Sequence, residues 1–165
     1  MNIFVLDHNQ KLAAQYHCDK HVVKMIVEYA QLLCTAHWMS GSQAQYRSTH
    51  KNHPCAVWTR ECIENYEWLC VLANHLCDEY SSRYNKTHKT ASVITWCTLN
   101  KPNLRINKHI TPLPLCMPSE YKSECVVNSY RAFYLYEKSK FAKWNFSDTP
   151  PWYSQVIDSQ LEKIS

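Results

Sequence analysis

Cys18, Asp19, Lys20 and His21 stand in four consecutive positions, and Lys24 and Glu28 follow at helical spacing. An amine beside a carboxylate on a half-buried surface is the equipment of imine chemistry. The amine attacks a carbonyl-like carbon, and the acid moves protons. Asp19, Lys20, His21, Lys24 and Glu28 are therefore the candidate catalytic group. The same residues also suit a capped helix with one polar face. A cap falls at Asp19 or Cys18, and a carboxylate there complements the helix dipole.

Three further clusters carry basic and polar groups. In "STHKNHP", His50 and His53 flank Lys51. In "EYSSRYNKTHK", Arg83, Tyr84, His88 and Lys89 either grip a phosphate at a helix end or, for Arg83, pair with Glu79 four residues earlier. Asn65 and Trp68 share a helix edge with His75 and Glu79; Trp68 serves equally as a core residue. Arg131 and Lys138, with Lys140 and Lys143, form a basic face. C-x-x-H at Cys18 and His21 and H-x-x-H at His50 and His53 make a possible zinc set.

These residues need a scaffold. At 165 residues the chain fits one domain with a sizeable core, and a single glycine, Gly41, argues against glycine-dependent folds and phosphate loops. Long helices are the alternative. Val22, Met25, Ile26, Tyr29, Leu32, Leu33 and Ala36 recur on one arc of a helix, with His21, Lys24, Glu28 and Gln31 on the opposite edge. A short helix is expected over Gln10–His17 and a long one from Cys55 to about Tyr84 with Pro54 in its first turn. Another spans Ser92–Cys97, and a last long helix runs over roughly Ser123–Trp144. "NIFVL" reads as a short extended segment. Pro102, Pro112, Pro114 and Pro118 predict an irregular crossing before the last helix. The expected fold is all-α: a single helical domain over 1–153 and a loose C-terminal tail over 154–165.

Charge is uneven along this chain. Residues 86–143 carry ten Lys/Arg and three Asp/Glu, whereas residues 1–85 carry seven and eight. Basic groups interleaved with Tyr130, Phe133, Tyr134 and Trp144 suit a polyanion. Nine cysteines, an odd number spread along helical segments with no basic leader before them, are expected to stay reduced in an intracellular protein. No apolar run reaches the ~20 residues of a membrane span. G-x-S-x-G, a glycine phosphate loop and the zinc-deaminase pattern are all missing, which removes the common hydrolase, nucleotide-triphosphatase and deaminase classes.

The run "MNIFVLD…CDKHVVKMIVEYAQLLCTA", then "THKNHP…W", "NYEWL", "EYSSRYNKTHK" and a closing P-x-W, resembles a family of small proteins from large tailed phages and other large DNA viruses. That family is labelled pyrimidine-dimer DNA glycosylase, or endonuclease V-like, and the likeness runs from about Met1 to Tyr153. The ending "EKSKFAKWNFSDTPPWY" is similar to the enzyme's lysine-containing last helix and closing Pro-x-Trp-Tyr.

The resemblance implies an all-α monomer on duplex DNA in the cytoplasm or nucleus of an infected host. It would remove a damaged pyrimidine with an amine nucleophile and nick the abasic strand by β-elimination, without a metal or other cofactor. The family uses a processed N-terminal amine. Here the chain begins Met1-Asn2, and the bulky second residue keeps Met1 in place. The amine is then that of Met1, or it has moved to Lys20 or Lys24. Glu28, or next Asp19, stands for the family's glutamate. His50, Lys51, His53, Asn65, Trp68, Arg83, Tyr84, His88, Lys89 and Arg131 are the expected substrate and phosphate contacts. Two other classes compete: a non-catalytic virus-encoded protein that binds a nucleotide or host factor, and a zinc-organised nucleic-acid module built on Cys18, His21, His50 and His53.

Overall fold

The computed structural model describes residues 1–161, with side chains to residue 156. Seven α-helices and no strand occur among the described residues. They are α1 (Gln10–Tyr16), α2 (Asp19–Met39), α3 (Pro54–Glu61), α4 (Ile63–Tyr84), α5 (Ala91–Leu99), α6 (Val126–Phe133) and α7 (Pro151–Leu161). The all-α single domain expected from the sequence is what forms.

α2 and α4 pack on each other at the centre, α1 packs on α4, α3 contacts both, and α5 closes against both. The expected arc of α2 is its buried face: Val22, Met25, Ile26, Tyr29, Leu32, Leu33 and Ala36 are all sealed from solvent. Each large apolar side chain buried in this way contributes about 1.5–3 kcal/mol. α4 buries Tyr66, Leu69, Leu72, Ala73 and Leu76 against that face. Asn85 ends α4 with a left-handed φ of 50°, a conformation asparagine tolerates well.

The N-terminal segment is extended and threads into the core. Ile3, Phe4, Val5 and Leu6 are all buried, which explains an unbroken apolar run without strand pairing. Its backbone is satisfied by side chains: the Phe4 amide donates to the Tyr29 hydroxyl at 3.3 Å, and Arg131 Nε donates to the Leu6 carbonyl at 2.8 Å. The proline-rich crossing is irregular, as expected, and is pinned from α4. Asn65 Nδ2 donates to the Trp58 carbonyl and to Thr111 Oγ1, both at 2.8 Å, and its Oδ1 accepts the Thr111 amide at 2.9 Å.

Three boundaries and the placement of one side chain differ from the sequence expectation. The long helix over 55–84 breaks at Cys62, whose extended backbone (φ −152°, ψ 165°) separates α3 from α4; Ile63 then donates to the Arg105 carbonyl of the crossing. The last long helix is shorter: α6 ends at Phe133 and continues as one π turn over Tyr134–Lys138. His21 does not lie on a solvent-facing polar edge; it is buried, bonded through Nδ1 to the Tyr134 hydroxyl and stacked on Phe4 at 4.6 Å. Finally, α7 occupies residues where a tail was expected from residue 154. Pro151 fits the first turn, the Pro150 carbonyl accepts the Tyr153 and Ser154 amides, and Tyr153 packs on Trp144. The rest of that expected tail, 162–165, lies outside the described residues.

Candidate active site

The N-terminal segment and residues 133–141 meet over the start of α2. The Met1 α-amine lies 3.7 Å from Glu28 Oε2, and the Asn2 amide donates to the same oxygen at 3.2 Å. Lys24 Nζ approaches Glu28 Oε1 at 3.3 Å, one helical turn away. One carboxylate therefore holds an α-amine and a lysine amine together.

This group lines an open cleft of about 280 Å³. Phe4, Met25 and Phe133, all buried, make its apolar floor. Lys20, Lys24 and Lys138 stand around it. Lys20 lies 4.6 Å over the Phe141 ring and Lys138 lies 4.3 Å over the Phe133 ring, so aromatic faces orient two of the three cations. The π turn supplies both Tyr134, bonded to His21, and Lys138. Such insertions commonly re-aim side chains at functional sites.

Asn2 fixes the amine. Its Nδ2 donates to the Cys116 carbonyl at 2.9 Å, and its Oδ1 accepts from the Ile3 amide and, at 2.8 Å, from the Tyr130 hydroxyl. Nothing in the residue types around position 2 announces this role. It depends on Cys116 and Tyr130, both more than a hundred residues away.

Electrostatics sort the neighbours. Burial pushes the His21 imidazole down to about 2, helped by His17, Lys138, Lys24 and Lys20, so it is a neutral hydrogen-bonding wall and does not act as a base at neutral pH. His17 behind it is pushed down to about 4 by burial. Lys138 is held below the usual lysine range, chiefly by burial, with the Lys24 charge adding to it. His53 is lowered by burial and then by the Met1 ammonium.

Of the catalytic candidates, Lys20, His21, Lys24 and Glu28 line the cleft and Asp19 does not. Asp19 Oδ1 accepts from Arg83 Nη1 at 3.0 Å and Oδ2 accepts from the Asn145 amide at 2.7 Å. It ties α2 to α4 and to the C-terminal segment.

The expected phosphate contacts disperse. Arg83 is spent internally: Nε donates to Glu79 at 2.7 Å, Nη1 to Asp19 and Nη2 to the Gln15 carbonyl, with the side chain only 1% exposed. It borders a larger hollow of about 510 Å³ beside Glu79 and residues 146–151, whose strongest charge is thus already neutralised. Tyr84 donates to the Asp19 carbonyl, and His88 Nδ1 accepts the Thr90 amide. Asn65 clamps the crossing, and Trp68 packs edge-on against Trp58. Arg131 bonds Asp7 and Leu6 and lies over Trp152. His50 bonds Thr49, and His53 caps α3. Lys51 and Lys89 are exposed and line none of the clefts described above.

The set Cys18, His21, His50 and His53 is not assembled. Cys18 and His21 are buried at the start of α2, and His21 is engaged by Tyr134. The one His/Cys/Asp/Glu group close enough for a metal among the described residues is His53, Cys55 and Cys116. Cys55 and Cys116 were not legible as a pair, since Cys116 lies in the irregular crossing.

No helix among the described residues is long and apolar enough to cross a membrane. No curated protein and no solved structure matches the chain. A family model described as pyrimidine dimer DNA glycosylase matches residues 1–92, which includes Met1, Lys20, Lys24 and Glu28. That match spans more than half of the chain, and the protein belongs to the pyrimidine dimer DNA glycosylase family.

Proposed function

We propose that the protein is a DNA glycosylase with AP-lyase activity that uses the Met1 α-amine as nucleophile and Glu28 as its proton-handling partner. The observation that carries this is the 3.7 Å approach of the Met1 amine to the Glu28 carboxylate in an open, lysine-rimmed cleft. Family membership supports pyrimidine dimers in DNA as the substrate class, and duplex DNA is the form this reading assigns.

The chemistry follows from the groups present. The amine nitrogen forms a bond to the sugar C1′ while the bond from C1′ to the base breaks, and the base leaves with the electron pair. Loss of the amine proton and opening of the sugar give an iminium. Glu28, beside that nitrogen, stabilises the positive charge and passes protons to and from the sugar. Removal of a C2′ proton then expels the 3′ phosphate by β-elimination. Asn2 anchors the backbone that carries the Met1 amine, whereas the Lys24 side chain is 63% exposed, so the α-amine is the better-positioned nucleophile. Lys20 and Lys24, with Lys138, would instead hold phosphates flanking an extruded nucleotide.

Borohydride reduction on an abasic duplex tests the reading. A covalent complex should form, and peptide mapping should place the DNA on Met1. Lys24→Ala should still trap. Absence of any covalent complex from the unmodified N-terminus would sink the amine mechanism, and a complex mapped to Lys24 would reassign the nucleophile.

A further inference from the structure

Next to the cleft, but not part of its lining, three soft or borderline ligands converge from distant parts of the chain. His53 and Cys55 open α3, and Cys116 comes from the proline-rich crossing. Their ligand atoms all lie within 4.8 Å of one another, and Cys55 Sγ lies 3.6 Å from Cys116 Sγ. Two thiolates at about 2.3 Å from one tetrahedral zinc sit roughly 3.8 Å apart, so the sulfur pair is already near the span a shared ion imposes.

We propose that His53, Cys55 and Cys116 form a zinc(II) site beside the N-terminus. Two thiolates and an imidazole are a donor set zinc favours, and the fourth position is left to solvent through the half-exposed Cys116. The cluster is wired to the cleft through Asn2, whose Nδ2 donates to the Cys116 carbonyl at 2.9 Å and whose Oδ1 lies 3.8 Å from Cys55 Sγ. Ligation releases both thiol protons to solvent and ends the weak bonds that Cys55 Sγ makes with Asn2 Oδ1 and Cys116 Sγ. It also costs the histidine cap. His53 Nδ1 accepts the Cys55 amide at 3.2 Å, and whichever ring nitrogen binds the ion, that cap is given up. A neutral hydrogen bond is a small loss against two thiolate–metal bonds.

The molecule contains its own comparison. Cys34 and Cys97 also approach, at 3.8 Å, but no third ligand joins them among the described residues. Sulfur proximity alone therefore does not single out the site; the imidazole does.

The site can be read without any activity measurement. The reduced full-length protein, stripped with a chelator, is titrated with cobalt(II) and then with zinc(II) against a chromophoric chelator. One equivalent should bind, with a thiolate-to-cobalt absorption band that zinc abolishes. Cys116→Ala should lose the band, His53→Gln should weaken zinc binding at least tenfold, and Cys34→Ala should leave both unchanged. No thiolate band in the wild-type protein, or a band that survives Cys116→Ala, overturns the site. Borohydride trapping that fails while zinc binds would count against the glycosylase reading alone.

Discussion

Replacing Asp19 and Glu28, one at a time, by their amides separates a structural carboxylate from the proposed reacting one on the same helix. Asp19→Asn removes the charge facing Arg83, whose side chain is 1% exposed, and weakens its 3.0 Å bond. Losing one partner of a buried ion pair costs about 3–5 kcal/mol. Glu79 remains on Arg83 Nε at 2.7 Å, so the lower end, about 3 kcal/mol, applies. For a chain of this size that is a fall of about 6–12 °C in Tm. Glu28→Gln leaves no buried cation stranded: Lys24 is largely exposed, and the Met1 amine lies at an open cleft. Its expected cost is about 1 kcal/mol or less, whereas loss of a proton-transferring group lowers the rate about 10²–10⁴-fold. Thermal melts and single-turnover cleavage of an abasic duplex, on both variants, give the comparison. The assignment fails if Asp19→Asn melts like the wild type yet loses cleavage, or if Glu28→Gln cleaves normally.

The buried histidines predict acid sensitivity. Both have folded-state values below the ordinary 6.5, so the unfolded chain binds more protons as pH falls through the window from 6.5 to about 4 for His17 and to about 2 for His21. Stability present above pH 6.5 should thus drop by about 2 kcal/mol per histidine at pH 5, read as urea midpoints; a change under about 1 kcal/mol in total would refute their buried neutral state. The lysine rim predicts a salt effect: Lys20→Ala and Lys138→Ala should each reduce the slope of log affinity against log salt by about 0.9 for duplex DNA, and an unchanged slope removes that residue from the interface. Asn2→Leu keeps a bulky second residue, and hence Met1, while deleting the bonds to the Cys116 carbonyl and the Tyr130 hydroxyl. Trapping by the α-amine should slow at least tenfold at saturating DNA, and an unchanged rate would show that Asn2 does not position the amine.

The helical body was legible because α2 and α4 obey a period that one buried face imposes, and Val22 to Ala36 and Tyr66 to Leu76 follow it. The break at Cys62 was not, because the hydrophobic period runs through it unchanged and contacts with the distant crossing mark it: Ile63 donates to the Arg105 carbonyl, and Arg105 Nε donates to the Glu61 carbonyl. That Lys20, Lys24 and Glu28 border one cleft was legible because they share one helix. The pairing of Arg83 with Glu79 was legible from their spacing, but the long-range carboxylate partners of Arg83 and Arg131 were not. A basic residue near aromatics looks like a phosphate ligand until its carboxylate partner is seen, and Asp19 and Asp7 lie more than sixty residues away in sequence. The aromatic floor drew Phe4 and Phe133 from opposite ends of the chain, so no local pattern exposed it.

What distinguishes Glu28 from Asp19 is the exposure of its partners rather than its acid chemistry. Asp19 is gripped by a buried guanidinium and a backbone amide, neither of which can leave without unpacking α1, α2 and α4. Glu28 faces an α-amine, a backbone amide and an exposed lysine, and in the proposed mechanism the amine turns toward a substrate carbon while the other two stay in place. A carboxylate that must first hold an amine and then a positively charged imine needs partners of that kind, since its own charge has to be redirected during the reaction. Asn2 completes the arrangement by anchoring the backbone one residue behind the amine, so that freedom at the nitrogen does not become disorder of the segment.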